Sequence, residues 1–317
     1  RAFVNGRIDL AQAEAVADLI KARSDLAHKA SISQLEGKLS NKLININSQL
    51  INLIGLIELE LDFVDEQISL IDSSSAVETL SNIIKELNEL SDSFKFGKLY
   101  REGIKVVIAG KPNSGKSSLL NLLLKENRAI VTPIPGTTRD VIEENFIIDG
   151  ALFVLTDTAG IRTTSDYIEI EGVKRSHDKI READIVLFVI DISTKSLEDD
   201  IKLIKQISFD NKHILIVLNK IDLVNLIDIR QNKINTSFPN IPNVLLSALN
   251  GIGLQELELA LFNAVFSDRL PASGSSIYIV NERHKQAILA AIDSLNLARK
   301  SEDQKLSGEF AAVDLRA

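Results

Sequence analysis

The apolar positions of this chain change period twice. From Asp9 to Leu61 they recur every three or four residues, as in Leu10, Ala13, Val16, Ala17 and Ile20, then Leu43, Ile46, Leu50, Leu53, Ile57 and Leu61. That spacing predicts amphipathic helices with Asp9 as the N-cap of the first. After Ser73 to Ser75 the same period resumes at Val77, Leu80, Ile83, Ile84, Leu87 and Leu90. At Gly103 it gives way to short, nearly continuous apolar runs: Ile104 to Ala109, Ala151 to Leu155, Ile185 to Ile190 (ended by Asp191), Ile214 to Leu218 and Val244 to Leu246. Such runs, separated by helical or loop stretches, predict strands buried on both faces of a mostly parallel, doubly wound sheet. Beyond a Pro/Gly/Ser stretch, Leu270 to Gly274, a helical pattern returns from Glu282 to Arg299. The expected architecture is an α/β domain over residues 103–267, inserted into an all-α helical domain formed by residues 1–102 and 268–317.

Composition narrows the classes. The chain has 317 residues, which favours two units over one. No apolar run reaches the roughly 18 residues that span a bilayer. A net charge of −8 gives no overall attraction to nucleic acid, although a local basic surface remains compatible with it. With Cys 0, disulfides, thiolate metal sites and cysteine nucleophiles are excluded, which fits a reducing, cytoplasmic setting. Met 0 and an opening at Arg1 with no signal-peptide pattern predict a piece of a longer protein.

The chemistry follows the strands. Directly after Ile104 to Ala109 stands Gly110-Lys111-Pro112-Asn113-Ser114-Gly115-Lys116-Ser117, a G-x-x-x-x-G-K-[ST] loop followed by Ser118 and the helical Leu119, Leu120 and Leu123. Its backbone N–H groups cradle phosphates, Lys116 reaches the β- and γ-phosphates, and the Ser117 hydroxyl binds magnesium. Asp157-Thr158-Ala159-Gly160 ends the strand that begins near Ala151, placing a carboxylate for magnesium and an amide for the γ-phosphate. Asn219-Lys220-Ile221-Asp222 is an N-K-x-D pattern: the Asp222 carboxylate can accept from guanine N1 and N2, donors that adenine lacks, while Asn219 supports the other edge. Ser247-Ala248-Leu249 fits the remaining base contact through the Ala248 amide. The polar loop Thr132-Pro133-Ile134-Pro135-Gly136-Thr137-Thr138 lies where a switch belongs, with Thr138, or its neighbour Thr137, as second magnesium ligand. These residues imply GTP binding and hydrolysis. Ile161 stands where many GTPases place a water-orienting glutamine and offers neither donor nor acceptor. The Asn113 side-chain oxygen, beside the phosphates, could ligate a monovalent cation that offsets charge developing in the transition state.

Taken together, these motifs resemble the MnmE (TrmE) family of tRNA-modification GTPases. So do the opening Arg1 to Val16 block, the Pro135-Gly136-Thr137-Thr138-Arg139-Asp140 loop and Asn281-Glu282-Arg283-His284. The resemblance spans nearly the whole chain. It implies a potassium-stimulated GTPase that acts with the flavoprotein MnmG on the wobble uridine (U34) of tRNA, as a homodimer in the full-length protein. It also implies a folate, 5-formyl-tetrahydrofolate, held by a separate N-terminal domain, with Arg7 matching a basic position near that pocket or serving as a helix-entry charge. Potassium ligands carry over to Asn113, Thr132, Ile134 and Thr137, with Pro133 in the same loop, and the water-orienting glutamate carries over to Glu169. Two further readings are a ribosome-assembly or translation-associated GTPase and a GTP-regulated scaffold. Helical flanks on both sides, in place of an RNA-binding or second GTPase domain, argue against the former.

Overall fold

The computed structural model describes residues 1–62, 73–127, 144–156, 180–206, 212–266, 277–304, 313 and 315. The expected ligands Thr132, Pro133, Ile134, Thr137, Thr138, Asp157, Thr158, Ala159 and Gly160, with Ile161 and Glu169, lie outside those residues. Two compact units divide the chain. One comprises residues 1–22, 26–101 and 273–317, the other residues 23–25 and 102–272.

The first unit is helical: α1 (Leu10–Lys21), α2 (Asp25–Leu35), α3 (Lys38–Asp62), α4 (Ser73–Glu102) and α9 (Glu282–Asp303). Asp9 caps α1 in a reciprocal box, its carboxylate accepting from the Gln12 N–H at 2.7 Å while its own N–H donates to the Gln12 side chain at 3.0 Å. This satisfies two of the four amide donors that every helix start leaves unpaired. Gln12 and Gln34 tie α1 to α2 by donating to the carbonyls of Leu35 and Ala11, each at 2.9 Å. The period read from the sequence becomes one apolar cluster of α3, α4 and α9, centred on Leu53, Leu80, Ile83, Ile292 and Leu295. Burying each such side chain contributes about 1.5–3 kcal/mol.

The second unit holds the sheet. Its strands are β1 (Ile104–Ala109), β2 (Glu144–Ile148), β3 (Ala151–Leu155), β4 (Ile185–Asp191), β5 (His213–Asn219) and β6 (Asn243–Leu246), in the order β2-β3-β1-β4-β5-β6. Helices α5 (Lys116–Asn127), α6 (Glu198–Lys205), α7 (Ile227–Ser237) and α8 (Leu254–Phe266) connect or follow strands. All neighbours are parallel except β2 and β3. The apolar runs mark five strands, and β2 is the sixth. Its burial pattern leaves Glu144 and Ile147 partly exposed, because a strand at the sheet edge needs less apolar cover than a central one. It joins β3 through Asp149-Gly150, both at positive φ (47° and 77°), the two-residue turn whose twist suits a hairpin. The register places Phe146 opposite Phe153, and their rings stack at 5.2 Å. Among the described residues no helix is long and apolar enough to cross a membrane.

At the start of α9, Asn281 caps the helix by accepting from the Arg283 N–H, and Glu14 of α1 gathers Asn281, Arg283 and His284 around its carboxylate. Burial, the largest influence, depresses the His284 imidazole below its usual 6.5; Glu14 and Asp9 oppose this and Arg283 adds to it. Burial prevails over the Glu14 oxygen only 3.2 Å away because His284 is mostly enclosed, with 16% of its side chain exposed. The folded state therefore binds the proton more weakly than the unfolded chain. Stability from this group is complete above about pH 6.5 and declines as pH falls through the depressed folded value. Urea midpoints should fall between about pH 7.5 and about pH 5.5, and His284→Gln should remove part of that fall. An imidazole resonance titrating above its unfolded value would contradict this.

Candidate functional site

The phosphate loop runs from the end of β1 into α5, so the helix N-terminus and its partial positive charge face the loop. Lys116, the first residue of α5, folds back so that Nζ donates to the Gly110 carbonyl at 2.9 Å and the Lys111 carbonyl at 2.6 Å. Burial lowers its pKa from 10.5. Ser117 and Ser118 are exposed on the first turn of α5, and Asn113 is exposed with φ 61°, a left-handed conformation that Asn tolerates better than most residues. Ser114 is buried, and its hydroxyl has no hydrogen-bond partner among the described residues. Lys111 reaches outward to α6, where Asp200, 3% exposed, accepts from Nζ at 3.0 Å. That pair fixes the loop's entry and was not part of the sequence pattern.

Asn219, at the end of β5, is 2% exposed. Its Nδ2 donates to the Ser114 carbonyl at 2.9 Å, and its Oδ1 accepts from the Ala248 N–H at 3.0 Å. One amide side chain thus ties the phosphate loop to the loop after β6. The expectation that Asn219 supports a base edge gains a second meaning here, since both of its polar ends are engaged by protein. The Ala248 amide, expected to serve the base, is likewise engaged by Asn219. Gly115 is required by this clamp: a Cβ there would lie 2.0 Å from Asn219 Nδ2, at a φ of 98° that side chains disfavour.

Lys220 follows with φ 66° and ψ 38°, turning the chain into a short 3₁₀ segment, Ile221–Leu223. Its Nζ pairs with Asp191 at the end of β4 at 2.6 Å. Asp222 is exposed, and one of its oxygens accepts from the Ser247 hydroxyl at 2.6 Å, with Ser247 itself 0% exposed. Ser247 Oγ also accepts from the Asn250 N–H at 3.3 Å, and Leu249 is 83% exposed. The structure therefore brings Asn113 to Ser118, Asn219, Lys220, Asp222 and Ser247 to Leu249 onto loops at the carboxyl ends of β1, β5 and β6. That edge is the one where open α/β sheets bind ligands. Arg7 belongs to the helical unit and is exposed.

The clamp generates a stability test. Asn219→Ala leaves the Ser114 carbonyl and the Ala248 N–H without their partner, at about 1–3 kcal/mol for each buried group. Unfolding free energy in urea should fall by about 2 kcal/mol or more, and Asn219→Asp should not restore it, since an acceptor would then face the Ser114 carbonyl. A loss below about 0.5 kcal/mol would show that the clamp contributes nothing.

The sequence profile of the MnmE helical domain matches residues 10–317. Proteins named tRNA modification GTPase MnmE from Clostridioides difficile (strain 630) and Aquifex aeolicus (strain VF5) are 41% and 42% identical to this chain. Each match covers 100% of this chain and 68% of the relative. Among solved structures, the G domain of the T. maritima FeoB iron transporter is 28% identical, covering 51% of this chain and 98% of that one with a TM-score of 0.39. A single-substitution variant of Aquifex aeolicus Era bound to GDP.AlF4- is also 28% identical, covering 61% of this chain and 67% of that one with a TM-score of 0.40. With a family profile and this level of identity running from end to end of a nucleotide-loop domain flanked by helices, the chain belongs to the MnmE family of tRNA modification GTPases.

Proposed function

We propose that this GTP hydrolase is stimulated by potassium and serves the modification of the wobble uridine (U34) of tRNA together with an MnmG-type flavoprotein. The observation that supports this best is the pairing of an N-K-x-D loop with an Asn113-bearing phosphate loop in a chain that matches MnmE relatives over its whole length. A cytoplasmic setting, a homodimer of the longer protein and a folate bound outside this chain, with Arg7 near it, belong to the same proposal.

In this reading the exposed Asp222 carboxylate, steadied at one oxygen by Ser247, reads the N1 and N2 donors of guanine. An adenine there would cover the acceptor from water and leave it unmatched, which costs affinity. Lys116 exchanges its two carbonyl acceptors for β- and γ-phosphate oxygens, and the α5 N-terminus adds its amides. The exposed Ser117 hydroxyl, beside Lys116, fits a magnesium ligand, with Thr138 and Asp157 as the others. Magnesium, when bound, neutralises charge on the β- and γ-oxygens. The exposed Asn113 fits a potassium ligand alongside Thr132, Ile134 and Thr137. Potassium, when bound, supplies positive charge where an arginine finger would otherwise act. Glu169 orients the attacking water in place of a glutamine, since Ile161 cannot.

Hydrolysis should be faster in potassium than in sodium at equal ionic strength, and Asn113→Ala should abolish the difference. Equal rates in the two salts would count against the cation site. Glu169→Ala should keep GTP affinity while lowering the hydrolysis rate by on the order of 10² or more, the scale for a positioned catalytic group. Glu171→Ala is the acidic control. A larger loss for Glu171→Ala, or a wild-type rate for Glu169→Ala, would show that the assignment is wrong.

A further inference from the structure

Asp191 ends β4, a strand whose residues Ile185 to Ile190 are all buried. A carboxylate placed there is costly unless its lone pairs are matched. They are matched on both oxygens. Oδ1 accepts from the Ser193 N–H at 2.8 Å and the Ser193 hydroxyl at 2.6 Å, while Oδ2 takes Lys220 Nζ at 2.6 Å. Burial by itself would raise the Asp191 carboxyl, but the Lys220 ammonium and the Ser193 donors outweigh it and hold the group below its usual range, so it stays ionised. In the parallel register Asp191 pairs with Asn219, the residue immediately before Lys220.

The other end of the pair is equally constrained. Lys220 holds a left-handed backbone, a conformation that disfavours any residue with a side chain. The same turn separates two clamped neighbours: Asn219, bonded to Ser114 and Ala248, and Asp222, bonded to Ser247. Lys220 is therefore fixed at its backbone by the turn and at its ammonium by Asp191, with 30% of its side chain exposed.

We propose that Asp191 is a positioning residue for base recognition: by anchoring the Lys220 ammonium it holds the turn that aims Asp222. The proposal rests on the reading that the 219–222 loop binds guanine. It assigns Asp191 to the base half of the nucleotide and not to the phosphate half. Ligands that lack a base should be indifferent to it.

The test compares GTP and GDP with inorganic tripolyphosphate, which carries phosphates and no base, in titrations of the full chain. Asp191→Asn should weaken GTP and GDP by about tenfold each, raise KM for GTP far more than it lowers kcat, and leave tripolyphosphate affinity unchanged. Lys220→Met, which keeps the stem and removes the ammonium, should show the same pattern, and the double variant should lose little more than either single one. Should Asp191→Asn fail to fold, Lys220→Met decides by the same measurements. Wild-type GTP affinity in the variants, equal losses for GTP and tripolyphosphate, or additive losses in the double variant would each overturn the role of Asp191. A wild-type chain that does not prefer GTP to tripolyphosphate would instead overturn the base-binding reading beneath it.

Discussion

The nucleotide edge of the α/β unit depends on a buried amide side chain meeting two loops at once. The phosphate loop and the loop after β6 are far apart in sequence, and neither has regular pairing across the gap. Asn219 supplies both bonds, a donor for the Ser114 carbonyl and an acceptor for the Ala248 N–H. Only an amide of this length carries both functions on one branch point. Its neighbours then inherit fixed positions: Gly115 must lack a Cβ, Lys220 must turn left-handed, and Asp222 reaches Ser247. Motifs usually described as separate parts of a nucleotide site are here one interlocked object.

The same logic extends to the acids that end or follow β4. Asp191 and Asp200 are both largely enclosed, and each takes a lysine from a different nucleotide loop, Lys220 and Lys111. Arg230 of α7 adds a third anchor by donating to the carbonyls of Ile192 and Thr194 in the intervening loop. The two carboxylates are largely screened from water while their lysines stay about one-third exposed, so losing a lysine strands an enclosed acid.

Much of this was legible in the sequence because it is periodic or because special backbone chemistry demands particular residues. Buried parallel strands such as Ile185 to Ile190 announce themselves as apolar runs, and the capped start of α1 announces itself through Asp9. Strand β2 does not, since Glu144 and Asn145 open it and an edge strand needs no continuous apolar run; the Asp149-Gly150 pair was its signal. The phosphate and base loops were readable as motifs, yet the double engagement of Asn219 was not, because it depends on which carbonyl and which amide the fold brings within 3.0 Å. Asp191 and Asp200 escaped for a related reason. A single acid beside a buried strand or in a short helix resembles a solvated end until its partner from elsewhere in the chain is seen. An acid that directly terminates a fully apolar run was the one available hint.

Lys220 carries a consequence for anyone redesigning this scaffold. Its backbone occupies a region where glycine is free and lysine is strained, so a substitution to glycine would relieve that strain and at the same time strand the Asp191 carboxylate. A selection that rewards heat resistance alone would therefore set a freer backbone against an unpaired, largely enclosed acid, and has no reason to favour glycine at this position. The lysine is kept by what its side chain reaches, against what its backbone prefers.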